Sequence, residues 1–201
     1  MKVRLLAAMV VALSGTAARA ADPRYPNWPC TQAKVPEISL AAVWAGPPLD
    51  DVQNKWKDNA KVGALVAKLS ARKTPLDEAE KSVKEFLASS ADKTANAKLL
   101  FAGLFDTLNA QRSQVMNGLE RVSRKQREAA DKIREETLQL HALQGATPRD
   151  EAKVEALGNE LIWKTRIFED RNKVVRFVCE VPTAIDQRLF ALGRVIQQEM
   201  E

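Results

Sequence analysis

The chain has 201 residues, is 45% hydrophobic and 28% charged, and carries a formal net charge of +5. That length and apolar fraction suffice for one hydrophobic core without a structural metal and exclude a disordered or low-complexity chain. A single histidine and two cysteines leave too few soft ligands for a zinc or copper centre.

Residues 1–20 have the three parts of a Sec-type signal: Lys2 and Arg4, an apolar stretch from Leu5 to Leu13, and Ala18-Arg19-Ala20 as a small-x-small cleavage site. The stretch is too short to span a bilayer, so cleavage after Ala20 is expected rather than anchoring. No cysteine follows the site and no Arg-Arg pair precedes it, which argues against a lipoprotein and against folded export. The destination expected is the periplasm or the outside of a bacterial cell. Lys2, Arg4 and Arg19 leave with the leader, so the charge of the mature protein falls from +5 to +2. A basic isoelectric point is then weak ground for a nucleic-acid partner, and none is expected.

Residues 21–48 hold six of the nine prolines, with the only tyrosine, Tyr25, and two of the four tryptophans, Trp28 and Trp44. Proline this dense predicts an extended strap, not a helix. Its aromatics call for cover from the rest of the protein, or else form a binding epitope. In an oxidising compartment Cys30 and Cys179 are expected to pair, with two free thiols as the alternative.

From residue 49 the pattern is helical. Val62, Leu65, Val66 and Leu69 predict a helix from Asp50 or Asp51 to about Arg72, with a break near Asp58 or Gly63. Thr74-Pro75-Leu76-Asp77 predicts a second start, with Thr74 as cap and Pro75 at the first helical position, and Thr147-Pro148-Arg149-Asp150 repeats the signal. Between them, after Ser89-Ser90-Ala91-Asp92, runs a segment without proline to Leu143, interrupted only by Gly103 and Gly118 at about 1 kcal/mol each. Its first part, Leu99 to Leu108, is apolar on more than one stripe and predicts burial on several sides.

From about Gln111 the pattern narrows to a heptad seam of Val115, Leu119, Val122, Ala129, Ile133, Leu140 and Leu143. After Gly145-Ala146-Thr147-Pro148 it resumes with Val154, Leu157, Leu161, Phe168 and Val175. A reversal near residue 145 sets Val122 against Phe168 and Ile133 against Leu157. Residues 111–179 are therefore read as an antiparallel coiled-coil hairpin with its turn at 144–148. After Glu180-Val181-Pro182 a last helix returns to join residues 49–110. The fold class expected is all-α: a four-helix head, a projecting hairpin and the N-terminal strap, with Cys179 at the junction. Arg112, Gln126, Lys164 and Arg171 are polar seam positions that set register, and the same reversal pairs Arg171 with Glu120 and Arg112 with Glu180.

Residues for chemistry are scarce. His141 stands alone on the hairpin flank, glycines do not cluster, and paired carboxylates fall in first turns or on helix faces, where they complement the helix dipole. No catalytic, cofactor-binding or metal residue is singled out, and an enzyme is not expected. The one basic cluster is Arg121, Arg124, Lys125 and Arg127. It reads either as a solvated face of mixed charge or as contact with an anionic partner, a protein or, more weakly, a membrane surface.

The stretches Trp28-Pro29-Cys30, Val35-Pro36-Glu37-Ile38-Ser39, Trp44-Ala45-Gly46-Pro47 and Arg188-Leu189-Phe190-Ala191-Leu192 resemble a group of exported proteobacterial helical proteins with no assigned activity. A looser likeness, in architecture alone, is to periplasmic holdases of the Skp type, whose strand-rich body has no counterpart in this sequence. The function expected is that of a non-catalytic periplasmic accessory protein, acting on a protein partner of the cell envelope through its hairpin. The alternative is a holdase for unfolded export clients. Neither the partner nor the oligomeric state is legible.

Overall fold

The computed structural model describes residues 22–200, so the expected leader and its cleavage site lie outside the described residues. Among the described residues there is no strand. The elements are α1 (Leu40–Val43), a 3-10 turn (Lys55–Asp58), α2 (Ala60–Ser70), α3 (Leu76–Ala88), α4 (Lys93–Gly145), α5 (Glu151–Val178) and α6 (Glu180–Gln198). None of the described helices is long and apolar enough to cross a membrane.

The 53-residue α4 is the spine, close to 80 Å long at about 1.5 Å per residue. Asp92 starts it, its carboxylate accepting from the Ala95 amide at 2.9 Å. The first third is buried all round, in line with its multiple apolar stripes: Ala97, Leu100, Phe101, Leu104 and Leu108 lie within α2, α3 and α6. α2 contributes Val62, Val66 and Leu69, α3 Val83 and Leu87, and α6 Ile185, Leu189, Leu192 and Ile196. Beyond this core α4 packs along α5 alone among the helices.

The strap runs antiparallel to α4. Pro26 takes a hydrogen bond from Arg127 at 3.0 Å, Lys34 meets Glu120 at 2.7 Å, and Pro36 accepts from Arg112 at 3.2 Å. Trp44 then stacks on Phe101 with ring centroids 4.3 Å apart, and beyond it Asp51 meets Lys98 at 2.6 Å. Cys30 is disulfide-bonded to Cys179, Cα to Cα 5.6 Å, and the Gln32 side chain donates to the Cys179 carbonyl beside it. Of the strap aromatics Trp44 is buried against the helical body, whereas Tyr25 and Trp28 are half-buried and held within the strap, Tyr25 under Lys34 and Trp28 donating to the Gln32 carbonyl. One turn of helix, α1, interrupts the extended path where only extended chain was expected, because Leu40–Val43 falls between the prolines rather than among them.

Several local expectations are corrected. The helix expected from residue 50 begins only at Ala60: Asn54 takes a left-handed φ of 63°, a 3-10 turn follows, and Asn59 caps α2 by accepting from the Val62 amide at 3.2 Å. The break falls after Asp58, one of the two positions expected, and not at Gly63, which lies inside α2. Neither Thr-Pro pair caps as expected. Thr74 is buried and its hydroxyl donates 2.9 Å back to the Lys68 carbonyl, so it closes α2 instead of opening α3. At the other site Asp150, not Thr147, caps α5, accepting from the Lys153 amide at 3.1 Å. The proline stands before each helix rather than in it. Pro182 sits in the first turn of α6, where its missing N–H costs little, so the helix restarts at Glu180.

The Asp150 carboxyl lies below its usual range, chiefly through the Lys153 backbone amide and then the Lys153 side chain. A depressed carboxylate stabilises above its unfolded pKa and loses that contribution as pH falls through the folded value. The protection of the Lys153 amide, the slowing of its exchange relative to an unstructured chain at the same pH, should therefore fall as pH drops below the ordinary carboxyl value of 3.8. Asp150→Ala should lower that protection at neutral pH, whereas Thr147→Ala should not.

Two glycines mark close approaches. A Cβ on Gly103 would lie 2.7 Å from Val66 Cγ2 and 2.9 Å from Trp56 Cδ2, so α2 and the 3-10 turn approach α4 through it. On Gly193 it would meet Phe101 Cε2 and the Val43 carbonyl, both at 2.8 Å. The carbonyl cannot yield as a side chain can. Gly193→Ala should cost about 1–3 kcal/mol despite better helix propensity. Gly63→Ala, with nothing within 4 Å, should add about 0.5–1 kcal/mol. Thermal unfolding of the two variants should move in opposite directions.

Candidate functional site

The hairpin turn occupies residues 146–150 rather than 144–148, since α4 runs to Gly145 and α5 starts at Glu151. Moving the reversal outward shifts the pairing by about one helical turn. Gln126, and not Val122, faces Phe168: its amide donates to the Phe168 carbonyl and to Asn172 Oδ1, each at 3.0 Å. Lys164 meets Glu136 at 2.5 Å and Glu160 at 2.6 Å, and these contacts, Glu136 foremost, raise its pKa.

Both charge pairs expected from the earlier register are replaced. Arg112, 3% exposed, meets Asp186 of α6 at 2.7 Å, nearly two helical turns beyond the expected Glu180. Burial raises the Asp186 carboxyl above its ordinary range by more than the Arg112 guanidinium lowers it. Glu120 is taken by Lys34 of the strap, which leaves Arg171 exposed and without an ion pair among the described residues. Reading the hairpin as two isolated helices could not foresee a third segment competing for Glu120.

The basic cluster is split by helix geometry. Arg121, Arg124, Lys125 and Arg127 are all exposed on α4. Arg127 faces the strap and is tied to the Pro26 carbonyl, whereas Arg121 and Lys125, one turn apart, lie on the other side. There Arg121 edges an apolar groove of about 480 Å³ between the arms, floored by Val115, Gly118 and Val122 of α4 and Val174, Val175 and Val178 of α5. Arg171 stands on the opposite lip. The strap therefore covers one flank of the hairpin, and the groove lies open on the other.

The feature that sequence reading missed is a second apolar face on α5. Leu161, Phe168 and Val175 turn toward α4, but Trp163 (63% exposed), Ile167 (47%), Val174 (59%) and Phe177 (77%) turn away from it. Their spacings of four, seven and three residues are those of a heptad seam, offset from the one that faces α4. The offset pattern was present in the sequence, masked because one seam already accounted for the helix. Val174 belongs to both the stripe and the groove, so the two form one continuous surface.

The side chains at the positions beside the stripe are basic, and two of them, Arg166 and Arg171, have no carboxylate partner among the described residues. The positions flanking such a seam are Arg166 and Lys173 on one side, Lys164 and Arg171 on the other. Arg166 lies 5.9 Å over the Trp163 ring, and Lys173 is held by Asp170 at 3.1 Å. Among the described residues no group of three or more histidine, cysteine or acidic side chains is placed to hold a metal ion. His141 is exposed near the far end of α4. What the arrangement offers is a contact surface, apolar along its centre and cationic at its edges. Compared with protein-family models, curated proteins and solved structures, the chain finds no match.

Proposed function

We propose that this is a non-catalytic accessory protein of the bacterial cell envelope, in which a four-helix head carries a projecting antiparallel coiled-coil hairpin that docks on a protein partner. The single observation that carries this reading is the unpartnered apolar face of α5, joined to an apolar groove between the arms. Large exposed apolar stripes of this kind mark interaction surfaces on proteins that do not otherwise use them for folding. The Cys30–Cys179 disulfide supports an oxidising compartment, and the leader-like first twenty residues support export to the periplasm.

Photo-crosslinking from position 163 in cells should capture one envelope protein in stoichiometric amount, and crosslinking from Gly63 in α2 should not. The holdase reading is favoured by a different observation, the scattered exposure of Leu138 and Ile162 toward the hairpin tip. Suppression of aggregation of several unrelated unfolded proteins, with no single partner captured, would select it.

A further inference from the structure

We infer that the occupant of the α5 stripe and its adjoining groove is an amphipathic helix with acidic flanks, supplied by a different protein and not by a second copy of this chain. The inference rests on the docking role proposed above and names the class of partner. Trp163, Ile167, Val174 and Phe177 form a seam of the length and spacing that an incoming helix matches with its own apolar heptad positions. In a two-helix seam the residues beside the apolar core face their counterparts on the other helix. Here those residues are Arg166 and Lys173 on one side and Lys164 and Arg171 on the other; Lys173 is paired with Asp170 and Lys164 with Glu136 and Glu160, so the cations without a carboxylate partner among the described residues are Arg166 and Arg171, one on each side. Pairing the stripe with itself, parallel or antiparallel, would therefore set cation against cation on both sides. A partner with glutamate or aspartate at its flanking positions meets these groups with opposite charge, and Arg121 on the far lip of the groove adds a further cation on that side. Asp170, the polar interruption of the stripe, and Lys173 neutralise each other, so the pair adds no net charge to the surface.

The test uses the oxidised mature protein and two synthetic helical peptides of about four heptads, leucine at both core positions, with flanking positions all glutamate in one and all lysine in the other. Binding is read by anisotropy of labelled peptide and by the emission of exposed Trp163. The glutamate peptide should bind saturably, one per chain, with affinity that falls as salt is raised; the lysine peptide should not bind. Phe177→Ala should weaken binding by about tenfold or more, as truncating an aromatic anchor does. The combined change of Arg166→Gln and Arg171→Gln should weaken it and flatten its salt dependence. Gly118→Leu provides a variant with an intact fold: a Cβ there meets only Arg121 Nη2, at 3.9 Å, so leucine fills the groove while improving the helix, and binding should fall.

Equal binding of the two peptides, or no binding of either, overturns the inference. So does affinity indifferent to these substitutions, or a chain that sediments as a dimer dispersed by Phe177→Glu. If the envelope partner is captured equally by the Phe177→Ala and Gly118→Leu proteins, the acidic helix is rejected and the accessory role stands. If the peptide behaves as expected and no envelope partner is captured, the docking surface stands and the accessory role falls.

Discussion

Phe101→Ala should destabilise the protein by about 3–5 kcal/mol, the range for emptying a fully buried aromatic site. For a chain of this size that corresponds to a fall in Tm of roughly 6–20 °C. Phe101 is fully buried at the point where three segments meet: Trp44 of the strap stacks on its face, Phe105 lies with its centroid 6.3 Å away, and Gly193 of α6 is bare of side chain so that the ring can fit. Neither the strap nor α6 can move far enough to fill the space, since one is held by its disulfide and the other by Ile185, Leu189 and Leu192 in the same core. The cavity term should therefore be felt in full. Emission from Trp44 should also shift to the red, because the ring that shields it is gone. Phe177→Ala is the matching control. With its side chain in solvent, its removal should leave stability within about 0.5 kcal/mol of the parent. Equal losses at the two positions would contradict the division between a packed core and an open docking face.

Loss of the disulfide should cost about 2–5 kcal/mol. Cys30 and Cys179 are 149 residues apart, so the bond closes nearly the whole described chain into one loop and restricts the unfolded ensemble accordingly. The chain-entropy model puts the upper end of that contribution near 5 kcal/mol for so long a loop. The native structure should change little when the bond is removed. Lys34 still meets Glu120, the Arg112 guanidinium still holds the Pro36 carbonyl, and Trp44 still stacks on Phe101. The expected signature of the Cys30→Ser, Cys179→Ser protein is an unchanged circular dichroism spectrum with a lower denaturation midpoint. A lost helical signal under native conditions would mean instead that the strap holds the junction of α5 and α6 in place.

These two sites differ in how far the sequence revealed them. Cys30 and Cys179 could be paired because no other cysteine competes. Phe101 could be placed in the core because its neighbours Leu99, Leu100, Leu104 and Phe105 are apolar on several sides of one helix. Its stacking partner could not, since Trp44 lies 57 positions away on a segment without periodicity. Gly103 reads in the sequence as a small cost to α4, and in the fold as the notch through which Val66 and Trp56 reach it.

The candidate docking surface was the least legible part. Arg121, Arg124, Lys125 and Arg127 stand out as a run, yet strap packing assigns Arg127 to structure and leaves Arg121 on the groove. Trp163, Ile167, Val174 and Phe177 were present as an offset heptad and were passed over. A helix with two apolar faces does not state which of them its own chain will cover.

The sequence by itself determined that the chain after the strap is helical, roughly where its long runs lie, and which two cysteines could join. Those follow from side-chain spacing, proline placement and composition, all of which act within a few residues or on the chain as a whole. Only the tertiary structure decided the outward shift of the hairpin turn, the loss of Glu120 to Lys34, the pairing of Arg112 with Asp186 and the exposure of one face of α5. Each of these is a competition between partners far apart in the chain, and it is settled by which groups reach one another when the strap and α6 have packed against α4.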